Sequence, residues 1–158
     1  MSSDILSLLN RVARAMESVV PGLQVRAYIG DPVWLGESDD APDDPNAGPG
    51  EWVDALCFSI SYAPGAVNTP PGEWRGGPGF ESGSSGSAHE RVLSVTRELM
   101  SEVQDLVAIE TKEPWPVEVV NGRRDMAQGY ATLEGDHLHM WYGDRAAPAL
   151  KLPSVHLE

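Results

Sequence analysis

Residues 87–110 read SAHERVLSVTRELMSEVQDLVAIE and give the strongest structural signal in the chain. Ser87 and Glu90 match a capping box, in which the serine hydroxyl accepts a hydrogen bond from a first-turn amide and the glutamate reaches back. Apolar residues then recur at helical spacing and form one stripe. The stripe consists of Val92, Val95, Leu99, Val103 and Leu106, widened by Leu93, Met100 and Val107. The pattern predicts a long amphipathic helix that ends near residue 110.

A second amphipathic helix is predicted over residues 4–20, because apolar positions recur there at the same spacing and Pro21-Gly22 ends the pattern. Residues 23–29 then alternate between apolar and polar side chains, which predicts a strand with one buried face. Another strand is predicted over residues 52–62. Its apolar face would consist of Trp52, Leu56, Phe58, Ile60 and Tyr62.

The last third of the chain predicts a meander of short strands, because alternating segments are separated by turn dipeptides. The turns are expected at Asn121-Gly122 and at Gly135-Asp136. The strands are expected over residues 115–120, 126–134, 137–142 and 149–152. No functional role is assigned to Leu157 and Glu158, which resemble the remnant of an expression vector.

The element order α-β-β-α-β-β-β predicts one α+β domain over residues 1–158. It would have two layers: a mostly antiparallel sheet of about five strands, with the two main helices on one face. Two long loops are expected within it. An acidic loop covers residues 30–50 and a Gly/Pro/Ser-rich loop covers residues 64–87, and both contain too many helix and strand breakers for regular structure.

The negative charge of the chain is concentrated in one segment. The net charge is −13, and residues 31–54 contribute −8 of it because they hold eight carboxylates and no Lys or Arg. Such a field repels nucleic acid and anionic membranes and attracts basic partners. The segment does not match the twelve-residue calcium loop, which requires a closing Glu. The remaining interpretations are docking to a basic protein and simple solvation of the loop.

The docking interpretation identifies a set of candidate partner-binding residues in and beside the acidic loop. Trp34 would be its anchor, since Trp is enriched among the residues that dominate binding energy at protein interfaces. The carboxylates would raise the rate of encounter with a basic surface. These carboxylates are Glu37, Asp39, Asp40, Asp43 and Asp44.

A strand-borne histidine pair is the candidate metal site. His137 and His139 are two residues apart on a predicted strand, so both imidazoles would point to the same face and reach one zinc ion. A third ligand would come from one of four residues, which the spacing does not distinguish. They are Asp125, Glu134, Asp144 and His156.

Catalytic signatures are weak by comparison. The sequence contains no nucleophile elbow and no phosphate-binding loop of the Walker type. Its one cysteine, Cys57, excludes an internal disulfide and is typical of a reducing compartment. With no apolar segment long enough to span a bilayer and no signal-peptide pattern, a soluble cytoplasmic protein is expected.

The overall profile resembles that of bacterial chaperone-type and toxin-immunity proteins, in architecture and in charge. The resemblance implies a non-enzymatic protein-binding module that engages a basic protein partner. Two alternatives remain open. One is a small zinc-binding protein or metal-dependent enzyme centred on His137 and His139. The other is a small-molecule binder whose pocket lies under the loop at residues 64–87.

Overall fold

The structure is a computed structural model that describes residues 2–36, 50–63, 72–75 and 88–158. Within these residues the chain forms two helices and nine strands. In chain order they are α1 (Ser2–Val19), β1 (Leu23–Gly36), β2 (Gly50–Tyr62), β3 (Gly72–Arg75), α2 (Ala88–Thr111), β4 (Val117–Val120), β5 (Arg123–Met126), β6 (Gly129–Glu134), β7 (His137–Gly143), β8 (Pro148–Lys151) and β9 (Val155–His156).

The α+β class is confirmed, and every strand pairing in the described residues is antiparallel. The strands form three hydrogen-bonded groups rather than one sheet of about five: β1-β2-β3, the hairpin β4-β5, and a four-stranded sheet in which β7 pairs with β6, β8 and β9. The strands that the sequence analysis did not predict are β3, β5 and β9, which have two to four residues and are too short to produce a periodic signal.

The expected loops are shorter than the sequence analysis predicted. Strand β1 continues past Gly30 to Gly36, and β2 begins at Gly50. The pairing shifts register between Gly30 and Val33, the interval that contains Pro32. A bulge tolerates a proline because the residues in it give up their ladder hydrogen bonds. Residues 37–49 lie outside the described part of the chain.

The Gly/Pro/Ser-rich loop also contains a strand. Strand β3, at residues 72–75, pairs with β2, and Trp74 lies opposite Ile60 in the register. The prediction of an irregular segment throughout residues 64–87 is therefore wrong for these four residues. Residues 64–71 and 76–87, including the predicted N-cap Ser87, lie outside the described residues.

One hydrophobic core joins both helices to the strands. The predicted stripe of α2 is buried, with Val92 and Val103 fully enclosed, and α1 contributes Leu9, Val12 and Met16. The alternation of β2 is confirmed over the part whose side chains are described, where the buried apolar face includes Leu56, Phe58, Ile60 and Tyr62. The periodicities of 3.6 and 2 thus identified the core-facing residues correctly.

Three polar side chains attach α2 to the C-terminal third of the chain. Arg97 donates from Nε and Nη2 to the carbonyl of Ala131, at 3.2 and 3.1 Å. Gln104 donates to the carbonyl of Ala127. In the opposite direction, the hydroxyl of the fully buried Tyr142 donates to the carbonyl of Met100 at 2.7 Å. These bonds fix the strands β6 and β7 beneath the helix.

Both predicted turns are present. Asn121 and Gly122 have positive φ angles of 52° and 76°, which is the requirement of a type I′ hairpin turn between β4 and β5. Gly135 has φ of 64° at the first position of the two-residue turn between β6 and β7. Glycine adopts this region without steric cost. The second turn fixes the register that pairs Glu134 with His137.

Leu157 and Glu158, to which the sequence analysis assigned no functional role, make structural contacts with the core and with α1. Leu157 is buried, and its amide donates to the carbonyl of Asp136 at 2.8 Å. Arg11 of α1 donates to the carbonyls of His156 and Glu158, at 2.8 and 3.0 Å. The terminal strand β9 is therefore held from both sides.

Neither α1 nor α2 has the length and apolar character needed to cross a membrane, and these are the helices of the described residues.

The Tyr142 hydrogen bond should contribute measurably to stability. Because Tyr142→Phe would remove one buried hydrogen bond while the Met100 carbonyl keeps its bond within helix α2, we expect a loss of about 0.5–1.5 kcal/mol in the free energy of unfolding. Urea denaturation followed by Trp fluorescence measures this loss.

The matched control is Tyr130→Phe, which also removes one phenolic hydroxyl. Tyr130 is exposed and its hydroxyl bonds Gln128 at 3.2 Å, so we expect a change below about 0.5 kcal/mol. Equal effects of the two substitutions would contradict the importance assigned to the Tyr142 bond.

Candidate functional site

The alternation of strand β7 divides its side chains between the core and an outer face. Leu138, Met140 and Tyr142 are buried at 0–1% exposure, as the sequence predicted. His137, His139 and Trp141 therefore point away from α2. The neighbouring strand β6 places Glu134, Thr132 and Tyr130 opposite them in the register. We refer to these six residues, with Arg145, as the outer face.

A groove borders one end of the outer face, between the β4-β5 hairpin and the β6-β7 pair. Its volume is about 670 Å³, within the range of about 300–1,000 Å³ that is typical of ligand sites. Gly143 lies at its edge with φ of 94°, and a Cβ added there would lie 3.2 Å from Glu118 Oε2. The lining residues are Glu118, Val120, Met126, Gln128, Tyr130, Trp141, Gly143, Asp144 and Arg145.

Two stacked aromatic rings form part of the groove wall. Tyr130 and Trp141 are directly opposite in the β6-β7 register, and their ring centroids are 5.6 Å apart with planes inclined at 22°. The guanidinium carbon of Arg145 lies 5.1 Å from the centroid of the Trp141 ring, within the range of a cation–π contact. The register of a single hairpin thus accounts for the stacking.

Trp141 has an unsatisfied hydrogen-bond donor. The residue is 9% exposed, and its buried indole Nε1 has no hydrogen-bond partner. A buried Trp N–H normally finds an acceptor, and leaving it without one costs about 1–3 kcal/mol. Trp141 also lines a second cavity, of about 260 Å³, together with Glu134, His139 and Arg145.

Apolar side chains are exposed around the same groove. Val120, Met126 and Tyr130 are 51%, 40% and 41% exposed, although all three are large and apolar or aromatic. Single exposed apolar residues are ordinary on protein surfaces, but a group of them rimmed by polar residues marks an interaction site. The charged residues of the groove lining are the carboxylates Glu118 and Asp144 and the guanidinium of Arg145, which is paired with Glu134.

An ion pair occupies the middle of the outer face. Arg145 hydrogen-bonds Glu134, and the Nε2 of His139 lies 3.4 Å from the other Glu134 oxygen. The hydrogen bond and the charge of Arg145 hold the pKa of Glu134 below its usual value; burial opposes this weakly, and His139 adds a smaller lowering. Glu134 is therefore ionised and paired with Arg145 near neutral pH, so it does not act as a proton donor.

A second polar cluster lies at the turn end of the outer face. Asp136 Oδ1 is 2.7 Å from His137 Nδ1, and Asp136 Oδ2 is 2.9 Å from His156 Nε2. The His137 and His156 rings meet edge to face with centroids 4.8 Å apart, because the two residues are directly opposite in the β7-β9 pairing. We refer to Asp136, His137 and His156 as the His-Asp cluster.

The Asp136 carboxyl is held in its ionised form. Its burial by neighbouring groups is the largest single influence on the pKa and would raise it. The hydrogen bonds from its own backbone amide and from His137, together with the charge and hydrogen bond of His156, outweigh this effect and lower the pKa. An ionised carboxylate between two imidazoles offers the donor set of a transition-metal site.

The predicted metal ligands are thus arranged differently from the prediction. His137 and His139 do share a face, with ring centroids 6.4 Å apart, but His139 contacts Glu134 whereas His137 contacts Asp136. Of the four candidate third ligands, His156 joins His137. Asp136 was not among the candidates. Its position in the turn immediately before His137 was the available sequence signal.

The predicted partner-binding residues are mostly beyond the described structure. Trp34 lies in β1, opposite Trp52 in the register. The five carboxylates of the docking hypothesis, Glu37, Asp39, Asp40, Asp43 and Asp44, lie in residues 37–49, outside the described residues. The pocket expected under residues 64–87 also falls on a segment that is described only at β3, and the groove described above is elsewhere.

Two other residues considered for chemistry have structural surroundings. Cys57 is buried, and this burial raises the pKa of its thiol more than the hydrogen bonds from Tyr28 and Gly30 lower it. A raised pKa disfavours the reactive thiolate. His89 lies 3.2 Å from the carbonyl of Leu157, so its ring contacts the terminal segment that closes the core.

Comparison with known proteins yields no relative from which a function could be transferred: no family model matches the chain, no curated protein does, and no solved structure does. The outer face and its groove are therefore interpreted from their own chemistry.

The Glu134–Arg145 pair gives a prediction about proton binding. Because Arg145 is the main cause of the lowered pKa, Arg145→Gln should raise the pKa of Glu134 toward its ordinary value of 4.5. His139→Ala should raise it less. An NMR titration of the side-chain carboxyl carbons measures both shifts, and a Glu134 pKa unchanged by Arg145→Gln would contradict the assignment. Any stabilisation by the Glu134–Arg145 pair should be fully present above the pKa of Glu134 in the unfolded chain. It should be lost as the pH falls through the lowered pKa of Glu134 in the folded chain.

Proposed function

We propose that this chain is a non-enzymatic binding module that engages a basic segment of a protein partner in the groove beside Tyr130 and Trp141. The observation that carries the proposal is the buried, unpaired indole N–H of Trp141 among exposed apolar side chains. A ligand in the groove would supply an acceptor for the unpaired indole N–H and would cover the exposed apolar side chains.

The chemistry of the groove favours an extended peptide with cationic side chains. A peptide backbone offers carbonyl acceptors at regular spacing, one of which would satisfy the Trp141 donor. Val120 and Met126 would contact its apolar atoms. Glu118 and Asp144 on the groove lining would attract Lys or Arg, and the exposed part of the Tyr130 ring offers a face for a cation.

The acidic segment at residues 31–54 would contribute through its field. Its −8 of the net −13 attracts a basic partner over distances longer than a contact and so raises the association rate. The carboxylates of residues 37–44 would act at this stage, whereas Trp34 would be an anchor for the bound partner. The acidic segment would thus raise the association rate, and the groove would lower the dissociation rate.

The general profile of the chain supports the same class of function. A small acidic α+β domain resembles bacterial chaperone-type and toxin-immunity proteins, many of which bind a protein partner by surface charge; this support is an analogy of architecture and charge. The lone cysteine is consistent with a reducing compartment such as the cytoplasm.

Selection from a random peptide library displayed on phage tests the proposal with defined probes. We expect the selected peptides to be enriched in Lys and Arg. They should bind Trp141→Phe, which removes the indole N–H but keeps an aromatic ring, about tenfold more weakly, equivalent to ~1.4 kcal/mol. Because the smaller Phe ring leaves part of the buried Trp141 site unfilled, a loss of stability is also expected, and binding is compared under conditions in which the variant is folded. Fluorescence anisotropy measures the binding and urea denaturation measures the stability.

Kinetics separate the two parts of the proposal. Tyr130→Ala should mainly raise the dissociation rate, because it removes a groove contact. Replacement of Asp39, Asp40, Asp43 and Asp44 by Asn should mainly lower the association rate and its dependence on salt between about 50 and about 500 mM. Selected peptides that bind wild type and both groove variants equally would remove the groove from the proposal. Binding that ignores salt and the four Asn substitutions would remove the acidic segment.

A further inference from the structure

The His-Asp cluster lies apart from the groove and has the composition of a metal site. It combines the first residue of β7, the last residue of β9 and the turn residue before β7, so its members come from two distant parts of the sequence. The ligand atoms of Asp136, His137 and His156 all lie within 4.8 Å of one another. We propose that this cluster binds a divalent transition-metal ion, with zinc as the best match.

The hydrogen bonding of His156 leaves room for a cation. Its Nδ1 lies 3.2 Å from the carbonyl oxygen of Glu158, and its Nε2 lies 2.9 Å from the carboxylate of Asp136. Both partners are acceptors, but a neutral imidazole has only one N–H. A ring protonated on both nitrogens satisfies both acceptors, whereas in the neutral ring that donates from Nδ1 the lone pair of Nε2 faces a negative oxygen. A cation bound between them satisfies both.

This arrangement matches the surroundings of metal-binding histidines. A ligating His ordinarily donates its second ring N–H to a carbonyl or carboxylate, which fixes the tautomer and the ring orientation. The Glu158 carbonyl has this position relative to His156. The ion would then be bound by His156 Nε2, His137 Nδ1 and an oxygen of Asp136.

The spacing of the ligand atoms fits a small ion after modest side-chain rotation. Zinc bonds of about 2.0–2.1 Å place tetrahedral ligand atoms about 3.3 Å apart. The Asp136 oxygens are now 2.7 and 2.9 Å from the two ring nitrogens. All three side chains are partly exposed, so their rotation displaces no core residue. The exposure also leaves access for an ion and a fourth position for water.

The backbone that carries the cluster is fixed from three directions. Gly135 permits the tight turn that presents Asp136. The Leu157 amide bonds the Asp136 carbonyl, and Arg11 bonds the His156 carbonyl. Pre-positioned ligands lose less conformational freedom on binding an ion than ligands on an unconstrained chain.

The donor set also selects among metals. Two imidazoles and one carboxylate suit zinc and the neighbouring divalent ions, whereas calcium and magnesium prefer oxygen ligands. Glu134 is opposite His137 in the register but is paired with Arg145. It is therefore not available as an additional oxygen ligand. Zinc should bind in preference to calcium.

Isothermal titration of the chelator-treated full chain with zinc alone tests the proposal. We expect one ion per chain, with affinity lowered at least about tenfold by His156→Ala and by Asp136→Asn. His139→Ala is the matched control, because it removes an imidazole from the same strand face but outside the cluster, and it should leave the affinity unchanged. Calcium should give no comparable heat.

Three outcomes would overturn the site: no zinc binding by the wild type, zinc binding unaffected by His156→Ala, or equal losses in His156→Ala and His139→Ala. The last result would support the sequence-predicted His137 and His139 pair in place of the cluster. Circular dichroism melts establish whether each variant is folded.

NMR provides a test on the unaltered chain. Zinc should shift the ring nitrogens of His137 and His156 and leave those of His139 near their metal-free positions. Unshifted His137 and His156 nitrogens in the presence of excess zinc would show that a proton alone links them to Asp136. Neither this result nor the titration depends on the peptide groove, so the two proposals fail independently.

Discussion

The attachment of strand β7 to helix α2 is the constraint on which the candidate sites depend. Tyr142 is buried beneath the helix and donates its hydroxyl to the Met100 carbonyl. Because side chains alternate along a strand, fixing Tyr142, Met140 and Leu138 inward turns the residues between them outward. Sliding β7 by one residue would exchange the two sets, burying imidazoles in the core and exposing its largest apolar side chains.

The strands that pair with β7 place their own residues beside its outward-facing side chains and so form two candidate sites. Strand β6 places Tyr130 against Trp141, which makes the aromatic wall of the groove. Strand β9 places His156 against His137, which makes the His-Asp cluster. Each site thus combines a residue of β7 with a directly opposed residue of a different strand. Cross-strand pairs of this kind have Cβ atoms about 4.5–5.5 Å apart, close enough for rings to meet.

The sequence predicted what depends on short-range pattern and missed what depends on distant pairing. The stripe of α2, the alternation of β7 and the two turns are each encoded within a few residues, and the structure confirms them. The pairing of β9 with β7 joins residues almost twenty positions apart through a strand of two residues, which is too short to show periodicity. The sequence therefore identifies His156 only as one of four candidate third ligands. Asp136 was not considered as a ligand because turn propensity already accounts for an Asp at that position.

The continuation of β1 past Pro32 was missed for a related reason: a proline argues against a strand unless its pairing partner allows a bulge.

Both ends of the outer face are proposed to bind positive charge, and the Glu134–Arg145 ion pair lies between them. The His-Asp cluster would hold a cation near the turn, and the groove would hold cationic side chains near Gly143. Glu134 lies between them and, as a free carboxylate, would compete with Asp136 for the ion and attract the peptide away from the groove. Its pairing with Arg145 neutralises it, and the same Arg145 covers the Trp141 ring. If the cluster binds a metal ion as proposed, loss of Arg145 would leave Glu134 free to act as an additional ligand and would uncover the Trp141 ring.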